Sequence, residues 1–131
     1  MFEKSRKIHL IVTTTGGSEC FNDPFCPDNA FNGVGCSTTV LWNPSQTNVD
    51  NWQSDSWVAL AHELYHSKDA DNGSWSYARD QSGIYYDEIE ACREANRMVL
   101  ENNPDAVTRT QYAGKMLPSD AIRPVPLKHQ E

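Results

Sequence analysis

"VALAHELYHSKDADNG", Val58 to Gly73, sets His62, Glu63 and His66 in the arrangement H-E-x-x-H inside an apolar run. On a helix, residues four apart stand on one face a turn above each other, so His62 and His66 can present their imidazoles to a common point. That is the bite a tetrahedral zinc ion needs, and a carboxylate beside it can take a proton from water at the metal. Three fixed positions also arise by chance, so the neighbouring sequence has to separate a zinc site from two histidines that share a helix. The apolar periodicity begins at Trp57, with Asp55 or Ser56 available as N-cap. Trp57, Ala61, Leu64 and Tyr65 form the adjoining face and are expected to pack on a sheet, which leaves the histidine face lining a cleft. Asp69, Asp71 and Asn72 before Gly73 lack the rest of a calcium-loop pattern and read as the helix exit.

Upstream, "KIHLIVTTT" (Lys7 to Thr15) is rich in aliphatic and β-branched residues and reads as a buried strand that ends at Gly16-Gly17. "SECFNDPFCPDNAFNGVG" is dense in Gly, Pro, Asn and Asp and is expected to wrap the surface outside the sheet. "CSTTVLWNP" reads as a second strand, stopped by Asn43-Pro44, and "SQTNVDNWQSDS" as another loop. Of the four cysteines, Cys20, Cys26 and Cys36 share the loop-like stretch, where either one disulfide or three thiols is expected. Cys92 falls in a helical pattern and reads as a small buried hydrophobe.

A real site needs a third ligand, and periodicity points to it. "GIYYDEIEACREANRMVLENN" has the pattern of a helix of about five turns. Glu90, Arg93, Glu94, Arg97 and Glu101 share one face as a solvated stripe of alternating charge. Glu88 instead lines up with Ile84, Ala91, Cys92, Ala95 and Val99, a small-residue apolar face suited to meet the first helix. A carboxylate there is costly unless paired or metal-bound, so Glu88 is the expected third ligand, with Glu90 as the alternative. His9 reads as a satisfied, half-buried strand histidine, His129 lies in the tail, and Trp52, Trp57 and Trp75 read as packing residues or substrate subsites.

The whole chain of 131 residues suits one domain with one core. A formal charge of -7 argues against a nucleic-acid partner, since nothing here would release counterions from a phosphate backbone. No window approaches a membrane span, and the first residues carry too short an apolar run for a signal peptide. Residues 1–114 are expected to form a single catalytic domain and 115–131 a proline-containing tail, extended or packed on it.

Taken together, "TTVLWNP", "VALAHELYHS", "EIEACREANR" and "RTQY" resemble the NleD-like family of bacterial effector and toxin metallopeptidases, from about Thr38 to Tyr112. The spacing is also similar to that of the far larger clostridial neurotoxin light chains. Glu88 and Ala91 fill the E-x-x-A positions, Arg93 and Asn96 follow, and Arg109 and Tyr112 supply the R-x-x-Y element. The resemblance implies a compact α+β, zincin-like fold with a small twisted β-sheet and two main active-site helices. It implies Zn2+ held by His62, His66 and Glu88, Glu63 as general base, Tyr112 as donor to the oxyanion and Arg109 beside it, placing substrate or the same oxygen. It further implies a secreted effector or toxin, delivered by a specialised system, that cleaves a protein of a host or competitor and has an immunity protein or secretion chaperone as partner. The strand "STTVLW" would be the edge on which substrate adds. Cys92 stands where many such peptidases carry an acidic residue that orients a zinc-bound histidine, so support for the histidines is expected from elsewhere. A zinc-dependent amidase acting on a non-protein or cell-wall amide, and a catalytically silent zinc-stabilised binding module, are the competing expectations. Glu63 speaks against the silent module, because a structural site has no use for a base.

Overall fold

The computed structural model describes residues 7–125. Their order is β1 (His9–Thr13), β2 (Glu19–Asn22), a 3-10 turn (Pro27–Ala30), β3 (Thr38–Trp42), β4 (Asn48–Val49), β5 (Trp52–Gln53), α1 (Trp57–Asn72), α2 (Tyr86–Asn102), β6 (Gln111–Tyr112), β7 (Lys115–Met116) and α3 (Ser119–Ile122). The class is α+β, as the sequence implied: a three-stranded mixed sheet with one long helix, α1, packed on it and a second, α2, packed against α1. Among the described residues no helix is long and apolar enough to cross a membrane.

Sheet order is β1-β3-β2, with β1 parallel and β2 antiparallel to β3. Three strand expectations are corrected here. β3 occupies the centre, so it offers no edge to a substrate; the edges are β1 and β2. β2 comes from the stretch read as a surface loop, because its four residues are too short for alternation to stand out among the turn formers around it. β1 is exposed along most of its length, with Leu10, Ile11 and Val12 each about half accessible, because α1 packs over β3 and β2 and does not cover it. His9 is its tether: Nδ1 lies 2.7 Å from Thr38 Oγ1 and Nε2 lies 2.7 Å from Asp71 Oδ1, the satisfied half-buried histidine expected.

α1 starts at Trp57 as read, with Ser56 in the N-cap position but making no side-chain capping bond. Gly73 ends it in the left-handed region (φ 70°), where a Cβ would collide with the backbone of Gly33 at 2.5 Å. The face that meets the sheet differs from the expected one. Ser67 bonds Thr38 at 2.7 Å and Ala70 O accepts from Cys36 N at 2.8 Å, whereas Trp57, Ala61, Leu64 and Tyr65 are only half-buried and Tyr65 turns toward α2. The stretch 45–56, read as loop, contains the β4–β5 hairpin, whose two turn residues Asp50 and Asn51 take the positive φ values of 49° and 63° that such two-residue turns require.

Two small cores flank the α1–α2 contact. Cys36, Ala30 and Ala70 gather under the end of α1, closed by a Cys26–Cys36 disulfide; Cys20 and Cys92 are free. Ile84, Ile89, Cys92, Leu117 and Ala121 gather under α2. Leu117 and Ala121 lie in the expected tail, whose described part packs as β7 and α3; His129 and residues 126–131 lie outside the described residues.

Candidate metal centre

On α1, His62 is buried and His66 nearly so; on α2, Glu88 is half-buried and faces them. The His62 and His66 Nε2 atoms are 3.3 Å apart, and Glu88 Oε1 lies 3.5 Å from His62 Nε2 and in close contact with His66 Nε2. Their ligand atoms all fall within 4.8 Å of one another, so these three residues could hold a metal ion. Donors at zinc's usual bond lengths of about 2.0–2.1 Å stand about 3.3 Å apart on a tetrahedron, close to the two longer separations here. Two imidazoles and a carboxylate are also a donor set that zinc takes with a coordination position left for water or substrate. Chemistry and spacing therefore fit.

Electrostatics prepares the same arrangement. Burial holds His62 below the ordinary imidazole range, which leaves it neutral and able to donate a lone pair. Burial also works against a charged His66, but the hydrogen bond and charge of Glu88 outweigh it and raise its pKa. Glu88 sits well below the usual carboxylate range because its two histidine hydrogen bonds overcome the burial that would raise it. A proton shared between His66 and Glu88 is what a cation would displace. Glu63, one residue from His62 and lining the same cleft, is pushed up to about 7 by burial.

Cys92 corrects the expectation about support for the histidines. Its Sγ lies 3.8 Å from His62 Nδ1, so the cysteine itself occupies the orienting place, while burial pushes its thiol up to about 12 and keeps it protonated. The other expected ligand, Glu90, accepts a bond from Tyr65 Oη at 3.4 Å and groups with Asp69 and Asp87 instead of with the two histidines. It also leaves the charged stripe, in which Arg97 pairs with Glu94 and Glu101.

Tyr112 and Arg109 are both brought to the cleft. The Tyr112 ring lies parallel to that of His62, centroids 6.3 Å apart, and burial together with a hydrogen bond to Glu88 raises its phenol. Arg109 stacks on Tyr112 at 5.1 Å, donates from Nη2 to Asp50 Oδ2 at 2.5 Å and from Nε to Gln111 O at 2.8 Å. Its guanidinium is thus committed to the protein.

Two residues whose role sequence reasoning missed hold this corner, one of them, Asn96, named only as part of the family pattern. Fully buried Asn96 on α2 accepts from Arg109 N and donates to Arg109 O and Ala121 O, all at 2.9 Å, replacing a missing strand neighbour. An Asn inside the apolar face of a helix was the available signal. Asp50 carries Arg109 and also accepts from Ala113 N at 3.2 Å, joining the β4–β5 turn to the β6–β7 turn. Nothing in the sequence marks it beyond a turn-forming Asp-Asn pair.

The site opens into a cleft of about 580 Å³, walled by β2 on one side, by Trp75, Tyr77 and Tyr85 on another, and by Trp52, Arg109 and Tyr112 on a third. Trp57 is not part of its lining. Comparison with known proteins adds nothing to this geometry: no family model, curated protein or solved structure matches the chain.

Proposed function

We propose that the chain is a zinc-dependent endopeptidase, with His62, His66 and Glu88 as the zinc ligands. The observation that carries this reading is the convergence of the three donor atoms beside a half-buried, uncommitted carboxylate, Glu63, in the lining of an open cleft. Zinc, when bound, supplies a Lewis acid that polarises a scissile carbonyl and acidifies water. Glu63 then takes the proton of the attacking water and returns it to the leaving amine, a role suited to a carboxyl whose burial raises its affinity for protons. Tyr112, kept protonated by burial and by Glu88, donates its hydroxyl to the oxyanion. Arg109 serves as a positioning residue, since its hydrogen bonds and its stacking hold Tyr112.

A peptide is favoured over another amide because β2 borders the cleft and has no strand on its outer side among the described residues. An extended substrate can pair with that backbone, taking the place first expected of β3. The role of a secreted effector or toxin that acts on a host or competitor protein rests on the resemblance to the NleD-like family. The Cys26–Cys36 disulfide is compatible with it, as such bonds persist in oxidising compartments.

The test is cleavage of unfolded proteins by zinc-loaded wild type and Glu63→Gln, with new N-termini mapped by mass spectrometry. Termini that form with wild type and vanish with Glu63→Gln support an endopeptidase. Equal cleavage by both, or none with stoichiometric zinc bound, refutes it, and release of amines from cell-wall fragments alone identifies the amidase.

A further inference from the structure

We propose that the cleft contains a subsite for the side chain of a substrate lysine or arginine, formed by Trp75, Tyr77, Tyr85 and Asp87; this deepens the peptidase reading and rests on it. The segment after α1 is laid along the start of α2 by two hydrogen bonds, Ser76 N to Asp87 Oδ2 at 2.8 Å and Tyr86 N to Ala78 O at 2.9 Å. That brings Trp75, Tyr77 and Tyr85 into the lining of the cleft together with Asp87, whose Oδ2 accepts from Ser76 N and whose carboxylate groups with those of Asp69 and Glu90. The wall begins beside the metal ligands, since Trp75 Nε1 donates to His66 O at 2.7 Å and the two rings are 6.4 Å apart.

The wall is built to stand open. Phe31 braces it from behind, its centroid 5.8 Å from Trp75 and 4.8 Å from Tyr77, and Phe31 sits in the loop closed by the Cys26–Cys36 disulfide. Tyr77 is 73% exposed, so its ring is not there to fill a core. Charge selects the occupant. Glu19, Glu63, Asp87 and Glu88 line the cleft, and its one Arg or Lys, Arg109, is paired with Asp50. No described Lys or Arg is ion-paired with Asp87. The Tyr85 ring already accepts a guanidinium: Arg79, which is not part of the cleft lining, lies 4.1 Å over it and donates to its hydroxyl at 2.5 Å. Aromatic faces attract a cation and a carboxylate bonds it, whereas an acidic side chain would be repelled and an apolar one would desolvate Asp87 without replacing its water.

The test uses retention in place of turnover. Zinc-loaded Glu63→Gln is immobilised and offered an N-acetylated random heptapeptide library, so that only side chains carry cations, and the retained pool is sequenced. Lysine and arginine should be enriched about tenfold over input, the gain expected from one desolvated cation–π contact with a carboxylate beside it. Added to Glu63→Gln, Tyr77→Ala, at an exposed ring away from the zinc ligands, and Asp87→Asn should each remove most of that enrichment with zinc content unchanged. Asp28→Asn, which deletes the same charge on the 3-10 turn, should not. No enrichment, or an equal fall with Asp28→Asn and Asp87→Asn, overturns the subsite. Enrichment that depends on Tyr77 and Asp87, in a protein whose wild type cuts no library peptide, supports the cation subsite while refuting the peptidase reading.

Discussion

β1 leaves Leu10 54%, Ile11 50% and Val12 45% exposed, while α1 buries His62 at 6%, Asp69 at 7% and Ser67 completely. Hydrophobicity alone would have placed these residues the other way round. The difference is one of partners. β1 has a neighbour on one edge only and is fastened through His9, whereas α1 lies between the sheet and α2, where each buried polar group finds another: Ser67 with Thr38, Asp69 with Ser74, His62 with Glu88 and Cys92. Polar burial here follows the supply of polar partners, and apolar exposure marks a strand that the fold tolerates.

That contrast orders the expected effects of substitution. Glu63→Gln should lower kcat by about 10²–10⁴-fold with zinc retained, measured on any substrate found by terminus mapping. Asn96→Ala should cost about 3 kcal/mol in urea unfolding, because it strands both backbone groups of Arg109 and one of Ala121. A loss under 1 kcal/mol would mean that water replaces the clamp. Tyr112→Phe should reduce kcat about 10²-fold at unchanged zinc content. Unaltered kcat would return Tyr112 to packing.

Two smaller effects sharpen the same contrast. In the metal-free protein Glu63 is raised from 4.5 to about 7 by burial, so its ionisation works against folding. Both proteins carry a neutral group at this position below pH 4.5; as pH rises from 4.5 to 7 the unfolded wild type ionises there while the folded wild type must keep its proton. The stability gained by Glu63→Gln over wild type should therefore grow across that window and level off above it, as followed by urea titrations at each pH. Leu10→Thr or Val12→Thr on β1 should change stability by no more than about 0.5 kcal/mol. A larger loss would show that β1 is covered in solution.

The parts of the site that sit on helices were legible in the sequence. A period of 3.6 distinguishes faces over many residues, so His62, His66 and Glu88 could be aligned before their contact was known, and Glu88 separated from Glu90 because it fell among Ala91, Cys92 and Ala95. The sheet was less legible. Period two shows that "TTVLW" is a strand but not which strands flank it, so β3 was taken for an edge, and the four residues of β2 were lost among turn formers. The roles of Asp50 and of Asn96, the latter named only in the family pattern, were missed for a third reason: they act on backbone groups distant in sequence, and such bonds leave no periodic trace.

The most direct measurement is zinc per chain in wild type, Glu63→Gln, His62→Ala and Glu88→Ala, purified identically and offered zinc before desalting. One zinc in wild type and in Glu63→Gln, with none in His62→Ala or Glu88→Ala, is the expected result. Stoichiometric zinc in Glu88→Ala, or none in folded wild type, would contradict a centre made of His62, His66 and Glu88.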